Sequence, residues 1–122
     1  MKNIILDTNF ILSCIRKKID FFDDLKFRGF KILIPSEVIV ELEKISKTGG
    51  KKFRDEAKIA LNLLKKNSFE KIDLNTKNVD NGIVKFAGEN RGCIIATLDR
   101  VIKNKIKNPN LVIRGNGKLE II

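Results

Sequence analysis

An α/β fold, built on a parallel sheet with helices over both faces, is predicted by three features of the 122-residue sequence. Short apolar runs of strand length alternate with stretches of helical periodicity, and the runs lack the polar alternation of half-exposed strands. Strands separated by helices pair in parallel through right-handed crossovers, which distributes the helices over both faces. The length suits one domain, 1–122, able to bury a core without disulfides or metal staples.

Taken in order, the first strand is Asn3–Leu6, and it ends in Asp7-Thr8-Asn9 before apolar residues resume at Phe10. Helices follow over residues 10–16 and Phe21–Phe27, then a strand over 31–34. Pro35-Ser36 stops that strand and places Ser36 to cap a helix over 37–46. KTGGKK, residues 47–52, reads as a flexible basic loop within the domain. A helix over 53–66 leads to a weak strand candidate at 71–74, and a helix over 83–90 leads to a strong strand at 93–97. A helix over 101–107 and a strand over 111–113 complete the alternation, and Gly115-Asn116-Gly117 turns a closing hairpin.

The composition narrows function. Without a single His, zinc sites of the usual Cys/His kind and catalysis by Ser-His or Cys-His pairs are excluded. The N-terminal residues do not resemble a signal peptide, and Cys14 and Cys93 read as reduced core residues, so the expected location is cytoplasmic. No apolar run approaches the roughly 20 residues of a membrane span. The formal charge of +10 favours a polyanionic partner, nucleic acid before membrane. With no Trp or Tyr, any stacking platform for bases must use Phe.

Ligands of a parallel sheet gather outside the carboxyl ends of its strands. Asp7 ends the first strand and Asp99 ends CIIATLD, so neighbouring placement of these strands brings two carboxylates to one edge. Glu41 lies beside the inward stripe of Val38, Leu42 and Ile45. Asp80 sits over the apolar face of Ile83, Val84 and Ala87. Each acid also has an ordinary reading: Asp80 and Asp99 as helix N-caps, Glu41 as a partly solvated helix residue, Asp7 as a turn residue. Four acids at one edge of a basic protein repel one another unless a cation holds them, and oxygen donors without His or Cys select Mg2+ or Mn2+.

ILDTNFIL, PSEVIVELEKI, VDNGIVKFA and CIIATLDRVI resemble, in order and approximate spacing, the motifs of the PIN-domain nucleases. The resemblance spans nearly the whole chain. It implies a three-layer α/β/α sandwich with a central, mostly parallel sheet of about five strands, and metal-dependent endoribonuclease activity. It implies an acidic quartet of Asp7, Glu41, Asp80 and Asp99, lined by the small polar residues Thr8, Asn9 and Thr97. Products with 5′-phosphate and 3′-hydroxyl ends, and a homodimer, are further implications. Within the family, ATLDRVIKNKIKN followed by NLVIRGNGKLEI looks like the ribosomal-RNA-processing branch, in which a second Asp commonly follows the third acid; here Asn81 stands there. The alternatives are the toxin of a VapBC-type pair, with an antitoxin partner, and a non-catalytic RNA-binding PIN domain. Retention of all four acids favours activity, and Thr8-Asn9 breaks the paired-acid pattern of a receiver domain. Arg100, Lys103, Lys105 and Lys107 directly follow Asp99 and are candidates to hold RNA phosphates, against a reading as a solvated helix face.

Overall fold

The computed structural model describes residues 2–122. Twelve elements follow one another: β1 (Asn3–Leu6), α1 (Thr8–Arg16), α2 (Phe21–Phe27), β2 (Lys31–Pro35), α3 (Ser36–Thr48), α4 (Lys51–Lys66), β3 (Glu70–Ile72), α5 (Val79–Glu89), β4 (Ile94–Ala96), α6 (Arg100–Lys105), β5 (Asn110–Ile113) and β6 (Leu119–Ile121). They build one six-stranded sheet in the order β3-β2-β1-β4-β5-β6. The first five strands are parallel, and β6 returns antiparallel to β5 through the Gly117 turn, whose φ of 81° favours glycine.

Alternation along β1 explains the layering. Ile4 and Leu6 join Phe10, Phe22, Val38, Leu42, Ala57 and Ala60 in a core under α1 to α4. Ile5 joins Leu33, Ile83, Ala87, Ile95 and Ile102 in a second core under α5 and α6. Both cysteines are free and buried, as expected of core residues. Burial pushes the Cys14 thiol up to about 12 and the Cys93 thiol up to about 11, which leaves both as weak nucleophiles.

Three local expectations are corrected. Ser36 does not cap α3: Pro35 takes the N-cap position at φ −62° and ψ 141°, and Ser36 becomes the first helical residue. Its hydroxyl is then free to bond Glu37 and the Asp73 carboxylate. KTGGKK is not a six-residue loop, because α3 continues to Thr48 and α4 starts at Lys51. Gly49 and Gly50 alone join the two helices. Asp80 is not a cap either, since Asn78 caps α5 by accepting from Asn81 N at 3.1 Å.

Candidate active site

The strand order reverses at β1. The chain runs outward through β2 and β3 on one side, then crosses back to lay β4 against β1 on the other. The crevice at such a switch point is where a parallel sheet places its ligand site. Asp7 stands there, one residue beyond β1, and its N–H extends the ladder to Ala96 O at 3.0 Å.

Asp7 also caps α1, with Oδ1 accepting from Thr8 N at 2.8 Å, so the helix starts at Thr8, ahead of the expected Phe10. Its other oxygen, Oδ2, accepts from the Thr97 hydroxyl at 3.1 Å. Thr97 Oγ1 in turn accepts from Asp99 N at 3.1 Å, which ties the turn after β4 to the end of β1. Asp7 is 6% exposed. Burial is the main force pushing its carboxyl up to about 6; the Thr8 and Thr97 hydrogen bonds pull it back, while the charges of Asp80 and Glu41 push it further.

Two of the expected acids, half-buried Glu41 on α3 and exposed Asp80 in the first turn of α5, thus lie close enough for their charges to reach a third, buried Asp7. Asp99 borders the same edge but turns its Oδ1 to Val101 N at 2.8 Å, so its reading as the cap of α6 is correct. Among the described residues, no three acidic, Cys or His side chains converge closely enough to hold one metal ion. The small polar residues divide as well. Thr97 is wholly buried, Asn9 is exposed, and Thr8 Oγ1 is buried with no hydrogen-bond partner among the described residues. Arg100 adjoins the site, whereas Lys105 and Lys107 line a separate cleft of about 150 Å³ with Arg91 and Asn108.

Supporting residues that the sequence did not single out hold these acids in place. Glu37, one helical turn before Glu41, accepts from Leu74 N at 3.1 Å and Thr76 N at 3.5 Å, clamping the loop that leads into α5, whose first turn carries Asp80. Burial opposes the charge on Glu37, but those amides, its own backbone and the Ser36 hydroxyl outweigh it and hold the carboxyl below its usual range. The same loop packs on Gly82, where a Cβ would lie 2.5 Å from Thr76 Cγ2. Buried Asn108 shares its amide hydrogens among Ala87 O, Asn90 O and Cys93 O at 2.9–3.1 Å, fastening the end of α5 to the start of β4. No local pattern marks either residue, because their partners lie far along the chain.

The pattern of the PIN-like domain family matches residues 4–115, and the chain belongs to that family. It is 30% identical to ribonuclease VapC4 of Methanocaldococcus jannaschii, over 99% of this chain and 97% of that protein. It is 33% identical to the rRNA-processing protein fcf1 of Schizosaccharomyces pombe, over 86% of this chain but only 53% of that longer protein. Among solved structures, the PIN domain endonuclease Utp24 superposes with a TM-score of 0.77 at 30% identity, covering 98% of this chain and 90% of its own. VapBC2 from Rickettsia felis, at 20% identity and a TM-score of 0.55, shares the fold.

Proposed function

We propose that this chain is a divalent-metal-dependent endoribonuclease, with Asp7, Glu41, Asp80 and Asp99 at its centre. The observation that carries the reading is Asp7: a carboxylate buried at the switch point of the sheet, under the charges of Asp80 and Glu41, in a nuclease-like fold. Burial and like charge both oppose its ionisation, and a cation relieves both. The donors available are all oxygens, and the unpartnered Thr8 Oγ1 adds a hydroxyl beside Asp7, so the residues suit a hard ion such as Mg2+ or Mn2+. When bound, such an ion offsets the carboxylate charge and acidifies the attacking water.

The chain's own residues do the rest. Thr97 fixes the orientation of Asp7, Glu37 fixes the loop leading into the helix that bears Asp80, and Asn9 presents an amide at the edge of the crevice. Arg100, directly after Asp99, holds a phosphate flanking the scissile one, while Lys103, Lys105 and Lys107 lead away from it and can meet only phosphates farther along the strand. Water attacks phosphorus and the 3′-oxygen leaves, giving 5′-phosphate and 3′-hydroxyl ends.

Likeness to the rRNA-processing protein fcf1 supports ribosomal RNA as the substrate, and likeness to the Utp24 endonuclease supports cleavage within the strand. A second reading, a toxin ribonuclease with an antitoxin partner, is favoured by the end-to-end match with VapC4. In either reading the enzyme works in the cytoplasm, as a homodimer. The test is cleavage of a structured rRNA fragment with Mg2+ or Mn2+. Cleavage that persists both in Asp7→Asn and in EDTA would exclude this site.

A further inference from the structure

A groove of about 620 Å³ opens beside the candidate site, bordered by Asn9, Arg16, Phe53, Leu98 and Asp99. That is within the roughly 300–1,000 Å³ of clefts that hold small organic groups. Its inner wall belongs to the site: Asp99 N is bonded to Thr97, and Thr97 to Asp7.

The outer wall is aromatic and basic. Of the large apolar side chains exposed to solvent, two are phenylalanines, Phe27 and Phe53. Phe27 ends α2 where the chain turns into the start of β2, at the edge of the sheet away from Asp7. Phe53 lies in the first turn of α4, whose far end leads to the start of β3, so its ring stands at the carboxyl edge. Phe53 is 49% exposed, and the Arg16 guanidinium lies over its ring, 5.7 Å from the centroid.

Arg16 is itself held. Its Nε and Nη2 each bond buried Glu56 at 2.9 Å, which leaves Nη1 for another acceptor and keeps the cation beside the ring. Lys51, Lys52 and Arg54 flank Phe53, all exposed, with no acid in that first turn. A fixed flat cation, an open aromatic ring and a basic rim, above apolar Leu12, Ile45 and Leu98, match a partner with both flat rings and phosphates.

We propose that this groove receives the base of one unpaired nucleotide adjoining the scissile phosphate, stacked on Phe53, with Arg16 beside it. The proposal rests on the ribonuclease reading for its substrate. It adds a requirement: the strand must be unpaired where it enters, because a base inside a duplex cannot reach the ring.

Binding separates the two claims. Short single-stranded RNA is titrated against the cleavage-disabled Asp7→Asn protein, alone and with Phe53→Leu or Phe53→Trp. Phe53→Leu is expected to weaken binding about tenfold, and Phe53→Trp to preserve it. Because the chain has no Trp, the indole introduced by Phe53→Trp reports directly, and its fluorescence is expected to be quenched by RNA. Removing single bases in turn along the RNA should find one position that weakens the parent but not Phe53→Leu. In the active protein, Phe53→Leu should raise KM with kcat unchanged. If Phe53→Leu binds as the parent does, or no base position couples to it, the groove proposal is overturned. Should Phe53→Leu melt far below its parent, an unquenched indole in Phe53→Trp overturns it instead. If the coupling is present but the active protein cleaves no RNA, the nuclease reading falls and the groove stands.

Discussion

The Thr97 hydroxyl bridges two strands' ends, donating to Asp7 Oδ2 and accepting from Asp99 N, each at 3.1 Å. One oxygen atom thus sets the carboxylate of β1 against the turn that follows β4. Thr97→Val keeps the shape and leaves both partners unsatisfied in a buried setting. A loss of about 1–3 kcal/mol is expected in urea unfolding, with Thr97→Ser near the parent. The Asp7 carboxyl should rise further, since the hydrogen bond removed is one that holds it down.

Asp7 makes stability fall as pH rises. Its carboxyl goes from 3.8 in the open chain to about 6 in the fold, so the folded state binds the extra proton between those values. The metal-free protein therefore loses about 3 kcal/mol from this group as pH climbs through that window, and no more above it. Asp7→Asn removes the penalty. Urea melts in EDTA should show the variant more stable at pH 8 and equal to the parent near pH 4. An equal gain at both pH values would mean that the carboxylate charge is not the cause.

Metal should reverse that penalty. A divalent ion that binds only the folded state adds about 2.7 kcal/mol at a hundredfold excess over its dissociation constant. Melting scans with EDTA or excess Mn2+ should show this gain in the parent and a clearly smaller one in Asp7→Asn. Equal responses would locate the ion away from Asp7.

Gly82 inverts a common rule. Replacing a helical glycine with alanine ordinarily stabilises by up to about 1 kcal/mol. Here the new methyl would meet Thr76 at 2.5 Å and Leu74 at 3.1 Å, so Gly82→Ala is expected to destabilise by about 1–3 kcal/mol. Glu37→Ala should loosen the same loop without a clash. Hydrogen exchange at the Leu74 and Thr76 amides should then speed up, and cleavage should slow through displaced Asp80.

Replacing Lys103, Lys105 and Lys107 with Ala should weaken RNA binding at every sequence. The log–log salt slope should flatten by roughly 0.7 for each single-strand phosphate that is no longer neutralised. An unchanged slope would make this a solvated helix face, as the separate cleft around Lys105 and Lys107 allows.

The central strands are legible because buried parallel strands are written as unbroken apolar runs, which Asp7 interrupts, whereas β3, exposed and reading Glu-Lys-Ile, carries no such run and shows only as the weak candidate at 71–74. Helix beginnings were less so: Thr8, Val79 and Lys51 are polar or β-branched residues that suit loops as well as helices. Ser36 misled because a serine after proline signals a cap, yet Pro35 already had the backbone geometry of one. The edge on which Asp99 lies was readable; the direction of its side chain was not. That direction depends on whether the amide of Val101 or a ligand is the better partner, which is a tertiary matter. Glu37 and Glu41 occupy one helix one turn apart, and nothing in their spacing tells which would face the loop before α5.

The strand at the centre of the sheet is the first one in the chain, and one of its two neighbours is supplied 90 residues later, as the Thr97–Asp7 bond measures. Closing so long a loop is slow relative to forming the adjacent helices. During synthesis, β1 waits with one edge open while β2, β3 and most helices emerge, and Asp7 waits without Thr97. The crevice is complete once β4 slots in. On the ribonuclease reading, a chain that ends before β4 is expected to leave RNA uncut, and the ability to cut reports that β4 has docked against β1.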